Sequence, residues 1–206
     1  MIAGIVLAAG EGQRIGQPKA WLRTDREGEC FFGRACALLA DADVDRVVGI
    51  IPVDGEARGH HAAPGAVLIV NRWPEEGQLS SLQLGLAAIG ALGFEAEAAI
   101  VLPVDVPLVS SATVRAVLER WRESHAPVVR PTSPDGRHGH PVVFNSTLFE
   151  TLLAADSVLG ARPVVRAHAS PTGDVLVDDP GAFADIDTVE DYRRAFNRLP
   201  ESFGFR

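Results

Sequence analysis

The sequence predicts an α/β protein, a three-layer α/β/α arrangement around a mixed sheet, and three observations lead there. An apolar run at residues 2–9 breaks abruptly into glycines, as a buried strand does before a tight loop. Apolar runs and 3.6-period helical patterns then alternate as far as residue 124, which is the alternation of a parallel sheet covered by helices. The run at residues 98–103 is apolar at every position, as expected of a strand buried on both faces.

Taken in order, residues 2–9 form the first strand, 31–40 a helix, 46–52 a second strand and 66–71 a third. Residues 80–92 read as a helix with Leu82, Leu86 and Ile89 along one face and Ser80 and Ser81 at its start as caps. Residues 98–103 are the fourth strand and 112–123 the helix after it. The pattern then changes. Short strands at 127–131 and 141–145 flank a polar turn, which predicts an excursion over about 127–145 that covers a substrate pocket. Residues 147–154 and 158–168 read as helices, 175–177 as a short strand and 188–199 as a closing helix. With no linker to divide the chain, residues 1–206 are read as one domain. Gly10, Asn71 and Asp105 each fall just past a predicted strand, so all three belong on the carboxyl rim of the sheet, where ligands bind in open α/β folds.

Composition narrows the function. The net charge is −8 and the positive residues are scattered, which argues against nucleic acid as a partner, since that needs a basic face. No apolar run approaches the ~18 residues of a membrane span. The apolar N-terminus lacks a basic leader and turns straight into a charged loop, so it does not read as a signal peptide. Cys30 and Cys36 fit neither a redox nor a zinc spacing and read as buried apolar residues in a reducing cytoplasm.

The chemistry concentrates after the first strand. Gly10, Gly12 and Gly16 let the backbone approach a bulky ligand, and Arg14 and Lys19 add two cations, a combination suited to a polyphosphate. The loop is not a P-loop, because no Gly-Lys-Ser/Thr closes it, and its glycine spacing is one residue too long for a dinucleotide fingerprint. A glycine-rich turn with solvated charges is the alternative. Asp105 stands alone in an apolar stretch and needs a cation or several hydrogen bonds; it is either a Mg²⁺ ligand or a cap for the next helix. Thr188 and Asp191 have the spacing of a capping pair for the last helix. Residues 71–82 are either a ligand loop or a plain loop with a Ser cap and Trp73 packing. His138 and His140 lack a third metal ligand nearby, and His60 and His61 read as solvated surface in a loop.

Residues 7–19 also resemble the L-A-A-G-x-x-x-R-M-G-x-x-K signature of nucleotidyltransferases with a glycosyltransferase-A-like fold, a Rossmann-like three-layer architecture. Leu7, Ala8, Ala9, Gly10, Arg14, Gly16 and Lys19 match; Ile15 replaces Met, and Gly12 stands where the closest branch often has Ser. The stretches 71–82 and 136–144 resemble the molybdenum cofactor cytidylyltransferase branch of the MobA-like family, and the likeness runs over about residues 3 to 195. The resemblance implies that Leu7, Ala8, Ala9, Gly10, Gly12, Arg14 and Lys19 wrap an NTP triphosphate, and that Asn71, Ser80 and Ser81 meet base and ribose. It implies that Asp105, in the D-x-P motif, holds Mg²⁺, with Asp187 as the second carboxylate and Asp185 as its alternative. His140 would meet the acceptor as a hydrogen-bond donor. Arg14, Lys19 and Asp105 are then the catalytic set. The implied reaction moves CMP from CTP to molybdopterin or its metal-loaded form, with a molybdoenzyme or its chaperone as a further partner. A sugar-1-phosphate or small phosphoalcohol acceptor, and a delivery module without turnover, are the alternatives.

Overall fold

The computed structural model describes residues 1–201. Seven strands make one sheet: β1 Ile2–Leu7, β2 Arg46–Ile51, β3 Val67–Val70, β4 Ala98–Pro103, β5 Val128–Thr132, β6 Val142–Asn145 and β7 Asp174–Leu176, in the order β3-β2-β1-β4-β6-β5-β7. β1 pairs in parallel with both β2 and β4, and β2 in parallel with β3. β6 runs antiparallel to β4 and β5, and β7 is parallel to β5. Leu7 lies opposite both Ile50 and Pro103, and Val70 opposite Ile51, so the carboxyl ends of these strands finish level. The chain leaves β1 toward β2 on one side and returns to β4 on the other. The gap between the β1 and β4 ends is therefore the point where strand order reverses, the crevice in which such sheets bind ligands.

The period-2 pleat builds two cores from one sheet. Ile2 and Val6 of β1 and Ile100 and Leu102 of β4 face α1 (Phe31–Ala40), α4 (Ser111–Ser124) and α7 (Val189–Phe196), packing with Phe31, Phe32, Leu118, Trp121 and Tyr192. Ala3, Ile5, Leu7, Ala99 and Val101 face the other way. They pack on Leu79, Leu82 and Leu86 of α3 (Gln78–Ala91), with Leu152 of α5 (Phe149–Leu153) and Val164 of α6 (Arg162–His168) alongside. Each Val, Leu, Ile or Phe among them contributes roughly 1.5–3 kcal/mol on burial. Helix α3 can lie this close to β1 because Gly85 has no Cβ; one placed there would sit 2.7 Å from the Ile5 side chain.

Several boundaries differ from the sequence reading. α2 (Glu56–Ala62) was not expected: His60 and His61 lie in its last turn and the acidic Glu56 in its first. α3 starts at Gln78, directly after Gly77 at φ 91, so Ser80 and Ser81 lie inside the helix and are not its caps. The 158–168 helix begins only at Arg162. The closing helix ends at Phe196 because Asn197 turns left-handed at φ 50. The 127–145 segment is not an excursion above the sheet. β5 and β6 are strands of it, since β6 supplies the antiparallel partner that β4 lacks on that side. The turn between them still lies on the carboxyl rim, because β5 ends in the same direction as β1. Both cysteines are buried and unpaired, and desolvation pushes their thiols up.

Candidate active site

The loop after β1 is held open by its own backbone. Ile15 N and Gly16 N donate to Gly12 O at 3.0 and 2.9 Å, while the buried Ile15 side chain anchors the loop to the core. Gly12 sits at φ +64, and a Cβ there would lie 2.0 Å from Gln17 O. Any residue with a Cβ, serine included, would be strained at this position. Lys19 opens a one-turn 3₁₀ segment whose next two residues, Ala20 and Trp21, are buried, so its side chain is aimed back at the sheet rim.

Two further segments meet it there. Asp105 follows β4, and its carbonyl accepts from Ile186 N at 2.7 Å, which ties the 184–188 segment to the rim. Asp191 Oδ2 accepts from Asp187 N at 3.3 Å and Thr188 N at 3.0 Å, and Thr188 Oγ1 accepts from Asp191 N at 3.1 Å. This capping box both starts α7 and fixes Asp187. Asp105 caps nothing: α4 is capped by Ser110, which accepts from Thr113 N at 3.2 Å. From behind, Arg34 donates to the carbonyls of Pro107 and, at 3.3 Å, Val109, bracing the D-x-P turn.

The charged side chains converge. Lys19 Nζ lies 3.3 Å from Asp105 Oδ2 and also donates to Asp187 Oδ1; Arg14 Nη2 meets Asp187 Oδ2 at 2.7 Å. They share a cavity of about 480 Å³ with Leu7, Ala9, Gly10, Gly12 and Ser81. Burial pushes the Asp187 carboxyl up, but hydrogen bonding and charge from Lys19, with Arg14 added, outweigh it and hold Asp187 below the usual carboxylate range. Asp185 moves the other way: burial, then the charges of Asp105 and Asp187, raise it. Asp187 is thus the better placed anion. Asp105 and Asp187 fit a divalent ion, since a single ammonium already touches both and Mg²⁺ needs only one or two protein carboxylates beside water and phosphate oxygens. Among the described residues no group of three or more His, Cys, Asp or Glu could hold a metal.

The remaining predicted residues separate. Ala8 is buried beneath the loop. Asn71 is 1 % exposed and its amide is fully engaged: Nδ2 donates to Ser80 Oγ at 3.3 Å and Ser81 Oγ at 3.0 Å, and Oδ1 accepts from Trp73 N at 2.9 Å. Its side chain clamps the 71–81 loop and reaches the cavity only through Ser81. Ser80 turns inward to donate to Gly77 O at 2.8 Å, and Trp73 is exposed rather than packed. His140 lines a second cavity, of about 500 Å³, which shares Leu7, Gln78 and Pro103 with the first. Burial pushes the His140 ring down, against a smaller opposing pull from Asp105, and its Nδ1 is buried without a hydrogen-bond partner. Burial thus favours the neutral ring, which still carries one N–H to donate. His138 turns away, with Nε2 3.5 Å from Asp174. Sequence reasoning did not single out Arg34, Gln78 or the arginines of the second cavity, because nothing local marks an arginine as facing a pocket.

A glycine loop with two cations, facing carboxylates across the switch point of a mixed sheet, defines a nucleotidyltransferase-type site. The chain belongs to the MobA-like NTP transferase domain family, whose model matches residues 4–172. It is a nucleotidyltransferase of that family. It is 27 % identical over 95 % of its length to purine catabolism protein PucB of Bacillus subtilis, covering 98 % of that protein. It is 30 % identical to a probable molybdenum cofactor guanylyltransferase of Mycobacterium avium, with 93 % of each chain covered. Among solved structures, Rv0371c of Mycobacterium tuberculosis superposes with a TM-score of 0.78 at 28 % identity, over 96 % of this chain and 97 % of that one. The same protein solved in complex with manganese gives a TM-score of 0.74 at 23 % identity over 96 % and 99 %. No helix among the described residues is long and apolar enough to cross a membrane.

Proposed function

We propose that this protein transfers CMP from CTP to the phosphate of molybdopterin, or of its metal-loaded form, and releases pyrophosphate. The observation that carries the reading is the convergence of Arg14, Lys19, Asp105 and Asp187 on the cavity beside the glycine loop. An oxygen of the acceptor phosphate attacks the α-phosphorus in line. A new P–O–P bond forms, the α–β bridge breaks, and the bridging electron pair leaves with pyrophosphate. No protein nucleophile is required; positioning and charge neutralisation supply the rate.

Arg14 holds the leaving pyrophosphate and Lys19 neutralises charge on the α-phosphoryl group. Asp105 and Asp187 would hold Mg²⁺, which supplies charge neutralisation on phosphate oxygens when bound. Without ligand, both cations pair with these carboxylates. Nucleotide arrival exchanges carboxylate for phosphate on each cation and frees the carboxylates for the metal. Ser81 meets base or ribose, a role supported by its position on the cavity wall and its hydrogen bond from Asn71. The product would pass to a molybdoenzyme or its chaperone in the cytoplasm.

The Ala8-Ala9-Gly10 sequence supports cytosine. GTP is the second reading, favoured by relatives named molybdenum cofactor guanylyltransferase. Pyrophosphate release from CTP, GTP, ATP and UTP, each with Mg²⁺ or Mn²⁺ and with molybdopterin or glucose 1-phosphate, decides among these. Turnover with CTP and molybdopterin is expected; turnover with GTP alone, or with the sugar phosphate alone, replaces the base or the acceptor. NTP binding with no product under any pairing would leave a delivery module.

A further inference from the structure

Asp179 does not line the first cavity, yet its carboxylate takes three hydrogen bonds. Oδ2 accepts from Ser110 N at 2.9 Å and from Thr113 Oγ1 at 2.6 Å, and Oδ1 accepts from Gly181 N at 3.1 Å. Ser110 and Thr113 stand at the start of α4, where the helix dipole favours an anion. Burial pushes the Asp179 carboxyl up, but the hydrogen bonds from Thr113, Ser110 and Gly181 outweigh it and hold it below the usual carboxylate range. The group is therefore charged at neutral pH, and its hydrogen bonds are of the stronger, charge-assisted kind. Helix α4 already has a side-chain cap in Ser110, so capping alone does not account for Asp179.

The segment that Asp179 begins runs on to the site. Gly181 lies flat against the chain just past the D-x-P turn, since a Cβ there would sit 2.1 Å from Leu108 O. Ala182 O accepts from His140 N at 2.9 Å, and Ile186 N donates to Asp105 O at 2.7 Å. Ala182 and Ile186 are both buried. Asp187 follows, facing Arg14 and Lys19. Two strips of chain thus lie side by side: one carries Asp105 and Ser110, the other Asp179 and Asp187. They are joined at one end by Ser110 and Asp179, and at the other by Asp105 and Ile186.

Resting on the nucleotidyl-transfer reading, we infer that Asp179 is a positioning residue: it clasps residues 179–187 to the start of α4 and so sets the separation of Asp105 and Asp187 that a divalent ion requires. Carboxylates that share an ion must be held at a fixed spacing, and loss of the outer contacts that orient such ligands costs about 10–100-fold in metal affinity. Without the clasp, the Ile186 hydrogen bond alone ties the second strip to Asp105. Arg14 and Lys19 belong to the loop after β1, outside both strips, so their hold on nucleotide phosphates does not depend on Asp179.

The test is calorimetry of the full chain with CTP or GTP, whichever the wild type binds more tightly, once with Mn²⁺ and once in EDTA. Asp179→Ala should weaken the Mn²⁺ complex by about tenfold or more, while metal-free nucleotide binds within about twofold of wild type. Asp179→Asn, which keeps one acceptor oxygen, should fall between the two. In an Asp187→Asn background the effect of Asp179→Ala should shrink to within about twofold, because the carboxylate that the clasp places is already gone. Leu118→Ala, in the core beneath the middle of α4, should lower the denaturant midpoint and leave Mn²⁺–nucleotide affinity in place. Hydrogen exchange supplies a readout without metal: in Asp179→Ala the Ile186 amide should exchange about tenfold faster, beyond any change at the Ile5 amide in β1. Wild-type Mn²⁺ affinity in Asp179→Ala, an equal loss in Leu118→Ala, or Ile186 exchange that rises no more than Ile5, overturns the inference. Absence of all nucleotide binding in the wild type sinks the nucleotidyl-transfer reading instead, and exchange at Ile186 still decides whether Asp179 seats the segment.

Discussion

Lys19 Nζ lies 3.3 Å from Asp105 Oδ2, a contact across 86 residues of chain, and the same ammonium donates to Asp187. One side chain thereby joins the loop after β1, the turn after β4 and the segment before α7. Its 15 % exposure means that these partners, more than water, balance its charge. A phosphate arriving in the cavity competes with carboxylates for it.

Replacing Lys19 by Ala removes one electrostatic donor from the reacting phosphoryl group. kcat is expected to fall by ~10²-fold or more, the usual loss for one such donor. Pyrophosphate release measures it, and a near-normal rate in that variant would exclude the role.

Asp187 competes with phosphate for both Arg14 and Lys19. Asp187→Asn should therefore bind metal-free nucleotide several-fold more tightly than wild type, at the scale of one weakened ion pair. The same variant should lose activity at limiting Mg²⁺. Calorimetry in EDTA reads the first effect and a metal titration of turnover the second. Weaker metal-free binding would mean that Asp187 does not compete with the nucleotide.

Asn71→Ala leaves Ser80, Ser81 and the Trp73 amide without their shared partner. Destabilisation of about 1–3 kcal/mol is expected, as for buried polar groups left unpaired, and denaturant unfolding measures it. KM for the nucleotide should rise as Ser81 loosens. Unchanged stability would show that water replaces the amide.

Gly12→Ala should keep the fold and lose the nucleotide. The substitution forces a Cβ to within 2.0 Å of Gln17 O in a backbone at φ +64, so the loop must move. Circular dichroism should be unchanged while nucleotide affinity drops; retained affinity would mean that the loop adapts.

His140 sets a pH dependence of stability. Burial holds its folded pKa below the ordinary 6.5. Between those two values the unfolded chain binds a proton that the native chain does not. The contribution is thus full above 6.5 and is lost as pH falls toward the folded value. Unfolding free energies at about pH 7.5 and about pH 5.5 should differ less in His140→Gln than in wild type. An equal difference in both would show that the ring does not titrate with folding.

The sequence determined whatever depends on neighbours along the chain. The residues of β4 divide between the two cores, and that burial on both faces was legible from its unbroken apolar run. So were the glycine loop with Arg14 and Lys19, the rim position of Asp105 and the Thr188–Asp191 capping box, each set within a few residues. The tertiary structure decided which distant groups meet. It set Asp187 against Arg14 across 173 residues, made β6 the neighbour of β4, turned Asn71 inward as a clamp and opened a cavity between β6, α3 and α6. The physical reason is that periodicity and caps are local properties of the chain. Which carboxylate faces which cation depends on strand order, register and packing.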